Sequence, residues 1–222
     1  MGLFSPNYEK PGPGIEKDAP AKTGLPLFFE ILIREFWELV KLNLIFVLTC
    51  LPIVTIGAAL GAMTKVTVMM ARDIPNDVWH DYWRGFKENW KSATLCGVLA
   101  ALLFGGGLLG LVLYRSSFPL LAVTAAALLL LSMMWVYVYP LITSTDLTLG
   151  QSLQNSLLLG LMLFYHSLPA AAVVGVFLFF EIGFFPLSVP IMLFLGFSIP
   201  NFVASFAAWA GIKKLVLRKD AD

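Results

Sequence analysis

The chain has 222 residues, of which 59% are hydrophobic and 13% charged, whereas ordinary soluble domains have about 45–50% apolar and about 25% charged residues. A water-soluble fold of this length cannot bury that much apolar surface, so the composition predicts an integral membrane protein. The net charge of +1, with the basic residues at the start, in one internal stretch and at the end, excludes a nucleic-acid-binding surface.

The first part of the chain combines a polar tail with an amphipathic segment. We expect the proline-containing stretch 1–26 to be a disordered tail. Between Leu27 and Lys41, the charged side chains Glu30, Arg34 and Glu38 fall on one arc at about 100° per residue, and apolar side chains occupy the other. This pattern predicts an amphipathic helix that either lies along the membrane surface or continues into the next span.

A first span is predicted at about 42–60, and it contains Pro52. Proline lacks the N–H that a helix needs in its interior, so we expect a kink or a break there. If the helix breaks, the stretch from Ala58 to Arg72 is a second, shorter helix that ends at the membrane surface. Two alternatives follow, because the segment around Pro52 either crosses the membrane or re-enters it.

An interfacial helix is predicted at 77–92, with Asn76 or Asp77 as its cap. Its aromatic residues fall at helical spacing on one stripe, and its basic residues form a neighbouring stripe. Such a pair of stripes is typical of a membrane–water interface. The basic stripe, which is also the candidate cytoplasmic docking surface, consists of Arg84, Lys87 and Lys91. These residues either contact an acidic partner surface or meet anionic lipid.

Four further spans complete the predicted topology, at about 93–113, 118–142, 157–180 and 184–212. Gly106 and Gly110 in the second span form a small-xxx-small pair that favours close helix packing. We expect the last span to bend near Pro200.

Both cysteines, Cys50 and Cys96, lie in apolar segments, where we expect them to behave as small hydrophobic residues and not to form a disulfide. The predicted fold is an all-α polytopic bundle of about five spans in one membrane domain, 27–222.

The basic residues indicate an orientation. Five lie between Lys65 and Lys91 and four in the C-terminal tail, and the positive-inside rule places both segments in the cytoplasm. One complete crossing before Lys65 then places the N-terminus outside. If the segment around Pro52 re-enters instead, the N-terminus is cytoplasmic.

Few residues are candidates for chemistry. His166, Asn43 and Asn201 are polar groups within or near spans and form a candidate polar pathway, although such residues more often join neighbouring helices. Glu181 lies at a predicted turn, where we expect it to meet water. The zinc, phosphate-loop and nucleophile-elbow motifs are missing, so we expect no enzymatic activity, no metal and no cofactor.

Three runs carry a family resemblance: NLIFVLTCLPIVTIG from Asn43 to Gly57, DYWRGFKENWKSAT from Asp81 to Thr94, and GFSIPNFVASFAAWAGIKKL from Gly196 to Leu215. They resemble the YesL-like family of bacterial membrane proteins of unknown function. The resemblance implies a multi-pass plasma-membrane protein, mainly of Gram-positive bacteria and often encoded beside carbohydrate uptake systems. It implies no catalytic or ligand-binding residues.

Two functional hypotheses follow. The first is an accessory or permease-like component that works with the subunits of a carbohydrate ABC transporter, with helix 77–92 as the contact. The second is a scaffold or sensor subunit that does not transport. A transporter should arrange its polar groups around one wet cavity, whereas a scaffold should bury them singly between helices.

Overall fold

The protein is all-helical in a computed structural model that describes the backbone of residues 23–216 and the side chains up to Lys213. None of the described residues forms a strand. The helices are, in chain order, α1 (Leu25–Arg34), α2 (Phe36–Thr49), α3 (Ile56–Ala71), α4 (Val78–Leu113), α5 (Phe118–Ser144), α6 (Leu149–Met162), α7 (Phe164–Gly183), the single turn α8 (Val189–Ile191) and α9 (Ser198–Val216). Most of the predicted tail, 1–22, lies outside the described residues.

Within the described residues, five helical stretches are long and apolar enough to cross a membrane. They are Ile53–Ala71, Val78–Leu113, Phe118–Ser144, Phe164–Gly183 and Val189–Lys213. Large apolar side chains on α4, α5 and α7, such as Leu102, Val123 and Phe179, are exposed on the outside of the bundle, as lipid-facing side chains are. The prediction of an all-α transmembrane bundle is therefore confirmed.

The first predicted span, 42–60, is not one helix. Helix α2 ends at Thr49, and the chain turns through Pro52 into a short 3₁₀ turn, Ile53–Thr55, before α3 begins. The Thr55 hydroxyl donates to the carbonyl of Thr49, which has no intrahelical partner because α2 ends there. The break predicted at Pro52 is confirmed, and α2 and α3 form a hairpin with its tip at residues 50–55.

Both ends of the α2–α3 hairpin lie together. The Arg34 guanidinium, next to the start of α2, forms an ion pair with Asp73, just after the end of α3. Hydrogen bonds to Glu35 and Asp73 raise the pKa of Arg34 above its ordinary value. An ion pair cannot join the two faces of a hydrocarbon core about 30 Å thick. Arg34 and Asp73 therefore lie on the same side of the bundle, which favours the alternative in which the segment around Pro52 re-enters over one complete crossing before Lys65.

Helix α3 is the core of the bundle and packs closely on α4. The backbones touch at Gly57, where an added Cβ would lie 2.6 Å from the carbonyl oxygen of Ala93 and 2.7 Å from Cα of Thr94. Further along, Lys65 forms an ion pair with Glu88. This contact uses the N-terminal half of α4. The interfacial helix 77–92 and the span 93–113, predicted as two elements, are one continuous helix of 36 residues.

Two other predicted spans are interrupted. The span at 157–180 contains a break at Leu163 between α6 and α7, and there the Ser167 hydroxyl bonds the carbonyls of Gly160 and Leu163. The last span, 184–212, consists of α8, a π-helical segment at Met192–Gly196 and α9. Its irregularity precedes Pro200, which lies in the first turn of α9, where proline is well tolerated. The predicted span at 118–142 corresponds to the single helix α5.

Candidate functional site

Asn43 is fully buried on α2 and binds the irregular part of the last span. Its side-chain nitrogen donates to the carbonyls of Met192 and Leu193, at 2.8 Å each. Its side-chain oxygen accepts from the backbone N–H groups of Phe197 and Ser198, at 2.9 Å each. The side chain thereby satisfies four backbone groups at the transition from the π segment to α9. A single amide has no further capacity for a ligand in this arrangement.

Asn201 lies on α9, about one turn after Ser198, and faces α3. Its amide nitrogen donates to Thr64 Oγ1 at 3.1 Å, and its oxygen accepts from Thr67 Oγ1 at 2.7 Å. The Thr67 and Ser205 hydroxyls are 2.8 Å apart and complete the network. Thr64, Thr67 and Ser205 are buried, so this is a polar contact between two packed helices.

His166 is half-buried near the start of α7. Its backbone N–H donates to the carbonyl of Leu163 at 2.8 Å, and its imidazole forms no hydrogen bond or ion pair with any described residue. Two shallow depressions in the described surface, of about 530 Å³ and 430 Å³, are both lined by other residues. The structure thus separates His166, Asn43 and Asn201 into three environments and does not bring them around one cavity.

Only part of the basic stripe is available to contact an acidic partner. Arg84 lies 3.7 Å from a carboxylate oxygen of Asp81 and 3.8 Å from one of Glu88, so its charge is balanced within α4. Lys87 and Lys91 have no carboxylate partner among the described residues, and both side chains are exposed. The free positive charge of the predicted docking surface therefore resides on these two lysines.

Aromatic side chains lie beside the two lysines. Trp79 is 63% exposed and packs edge-to-face on Trp83, with ring centroids 6.0 Å apart. Trp90 is 52% exposed, and the ammonium of Lys91 lies 5.6 Å from its ring centroid. The smaller depression is lined by Trp79, His80, Trp83, Arg84 and Lys87. Exposed tryptophans and unpaired lysines together can contact an acidic, partly apolar surface.

The expectation that Glu181 meets water is wrong. Glu181 is only 4% exposed, and its Oε1 atom has no hydrogen-bond partner among the described residues. The carboxyl group lies against Gly196 at the end of the π segment, in the space that a Cβ would fill. Its position at a predicted turn suggested contact with water, and the sequence carries no signal of the segment that covers it.

No group of three or more His, Cys, Asp or Glu side chains within the described part of the chain could hold a metal ion. Cys50 and Cys96 are both free. Most buried polar side chains bind backbone groups or one another, and Glu181, Ser152, Ser198 and Tyr139 each have a buried side-chain oxygen without a partner among the described residues. The N-terminal half of α4 combines two exposed lysines that lack a described carboxylate partner with two exposed tryptophans, and it is the candidate site.

These features define a multi-pass helical membrane protein. Its buried asparagines join neighbouring helices, and the N-terminal half of α4 exposes lysine and tryptophan side chains. Residues 39–112, which cover the α2–α3 hairpin and nearly all of α4, match the model of a family described as a protein of unknown function, DUF624. YesL-like proteins belong to that family, so the suspected resemblance is confirmed. Comparisons of the chain with curated proteins and with solved structures gave no significant match.

Proposed function

We propose that this protein is an accessory membrane subunit without enzymatic or transport activity of its own, which assembles with a carbohydrate ABC uptake system in the bacterial plasma membrane. The observation that carries the non-transporting role is the separation of Asn43, Asn201 and His166. The two asparagines are used for contacts between helices, and none of the three lines a common cavity. A scaffold needs such polar contacts, whereas a carrier needs a wet path.

The link to carbohydrate uptake rests on the family resemblance, and the proposed contact rests on α4. Lys87 and Lys91 carry positive charge that no described carboxylate balances, and exposed aromatic surface lies beside each: Trp79 near Lys87 and Trp90 next to Lys91. We assign this end of the protein to the cytoplasm, because five basic residues lie between Lys65 and Lys91. A partner with an acidic cytoplasmic surface fits this arrangement.

The test is purification from native membranes in mild detergent, with identification of the proteins that copurify. We expect ABC transporter subunits with the parent protein and their loss when both lysines are reversed, as Lys87→Glu with Lys91→Glu. Arg115→Glu is the matched control, because Arg115 is an exposed cation in the turn at the opposite end of α4. Unchanged copurification of transporter subunits with the double variant would refute the proposed docking surface. Absence of transporter subunits from the purification of the parent protein would refute the proposed partner.

A permease-like role is the second candidate, and the observation that favours it is the half-buried imidazole of His166, which has no partner among the described residues. The purified protein can be reconstituted into vesicles and assayed for uptake of labelled sugars. We expect no flux above that of protein-free vesicles. Flux that is lost in His166→Ala would overturn the non-transporting role and leave the α4 contact to be judged by copurification alone.

A further inference from the structure

Helix α1 has three distinct faces. At about 100° per residue, Leu25, Phe29 and Ile33 fall within an arc of about 80°, and Glu30 and Arg34 follow on the next arc. The remaining third of the surface faces the bundle. We call Leu25, Phe29 and Ile33 the outer stripe; their exposed fractions are 72%, 55% and 77%.

The inner face fixes how α1 is oriented. Phe28 stacks on Phe202 with ring centroids 5.3 Å apart and meets Phe206 edge-to-face at 5.2 Å. Ile31 is fully buried and belongs to the same core cluster as Phe202. Because α9 holds this face, α1 cannot rotate to hide the outer stripe in the bundle.

The polar face marks where water lies. Arg34 forms its ion pair with Asp73, and both side chains are about half exposed at the open end of the α2–α3 hairpin. Glu30 lies one turn before Arg34 on the same arc and is exposed. A helix with an exposed apolar arc directly beside an exposed charged arc has the form of a segment that lies in the membrane–water boundary.

We infer that the outer stripe of α1 lies in the acyl-chain region of the bilayer that the protein itself spans, with Glu30 and Arg34 in water on the same side as Asp73. One residue, Glu35, separates α1 from α2, so α1 is held directly at the entrance of the hairpin. Trp37, in the first turn of α2, is also exposed and is of the residue type enriched at membrane surfaces. The occupant of the stripe is therefore lipid.

The test places a nitroxide spin label on single cysteines in the full chain, with Cys50→Ala and Cys96→Ala as the background. The labelled positions are Phe29→Cys and Ile33→Cys in the outer stripe, and Glu30→Cys is the matched control on the polar face of the same helix. The protein is reconstituted into vesicles of phosphatidylcholine and phosphatidylglycerol. Collision of each label with oxygen, which concentrates in lipid, is compared with collision with a water-soluble nickel chelate.

We expect the two outer-stripe labels to collide preferentially with oxygen and the control label preferentially with nickel. Nickel accessibility at Phe29→Cys and Ile33→Cys equal to that of the control would place the stripe in water and overturn the inference. Dipolar broadening of the outer-stripe spectra that disappears on dilution with unlabelled protein would overturn it too, since a second copy would then cover the stripe. Leu25→Cys replaces any outer-stripe variant whose elution profile differs from the parent's.

Discussion

The close approach of α3 and α4 makes Gly57→Ala a sharp perturbation. The new Cβ would lie 2.6 Å and 2.7 Å from backbone atoms of Ala93 and Thr94, and backbone cannot move aside as a side-chain tip can. Overpacking of this kind costs about 1–3 kcal/mol, and the higher helix propensity of alanine offsets at most about 1 kcal/mol. After that full offset, we expect a net loss of up to about 2 kcal/mol in the free energy of unfolding.

Gly106→Ala is the matched control, because an added Cβ at Gly106 meets nothing within 4 Å. It should leave stability unchanged or raise it by up to about 1 kcal/mol. Both variants can be unfolded by titration with a denaturing detergent in mixed micelles and followed by circular dichroism. Equal stability of the two variants would refute the argument, because it would mean that α3 and α4 are not in backbone contact at Gly57.

Two more predictions follow from the described contacts. Asn43→Ala should lower the free energy of unfolding by about 3 kcal/mol or more, because it leaves four buried backbone groups unpaired. Asn201→Ala should lower it by about 1 kcal/mol, since its threonine partners also bond carbonyls of their own helix. The same detergent titration measures both variants, and a larger loss for Asn201→Ala would contradict the prediction. In sealed vesicles of one orientation, a membrane-impermeant thiol reagent should label Lys41→Cys and Asn76→Cys from one side and Ser116→Cys from the other. Labelling of Lys41→Cys and Asn76→Cys from opposite sides would show that the two ends of the α2–α3 hairpin do not lie on the same side of the membrane.

Local signals in the sequence were sufficient for several elements. The capping box of Thr148 and Gln151 starts α6, as its spacing predicts, and Asp77 caps α4 by accepting from the N–H of His80 at 3.0 Å. Pro52 lies at the tip of the hairpin, just after α2 ends, where its missing N–H disfavours continuation of the helix. These features depend on residues within one or two turns, so the sequence contains all that determines them.

Long-range contacts decided the features that the sequence could not predict. Asn43 meets carbonyl groups about 150 positions later in the chain, so its helix-joining role depends on how α2 docks against the last span. Glu181 is buried by the same π segment. The packing glycines were predicted in part: Gly110 packs against Thr124 of α5, where an added Cβ would lie 3.1 Å from its methyl carbon, but Gly106 faces open space and a closer backbone contact occurs at Gly57. A glycine pattern indicates that close approach is tolerated, but the partner helix determines where it occurs.

The continuity of α4 connects the proposed docking surface with the membrane. A helix of 36 residues is about 54 Å long, whereas the hydrocarbon core is about 30 Å thick. The half that begins near Leu95 carries exposed leucines and packs on α5, and the half that contains Lys87 packs on α3. Because the Gly57 contact and the Lys65–Glu88 ion pair fix α3 to this N-terminal half, the two lysines are held rigidly relative to the spans. A partner bound there would be kept at a set distance from the bilayer, which is the property that a membrane scaffold requires.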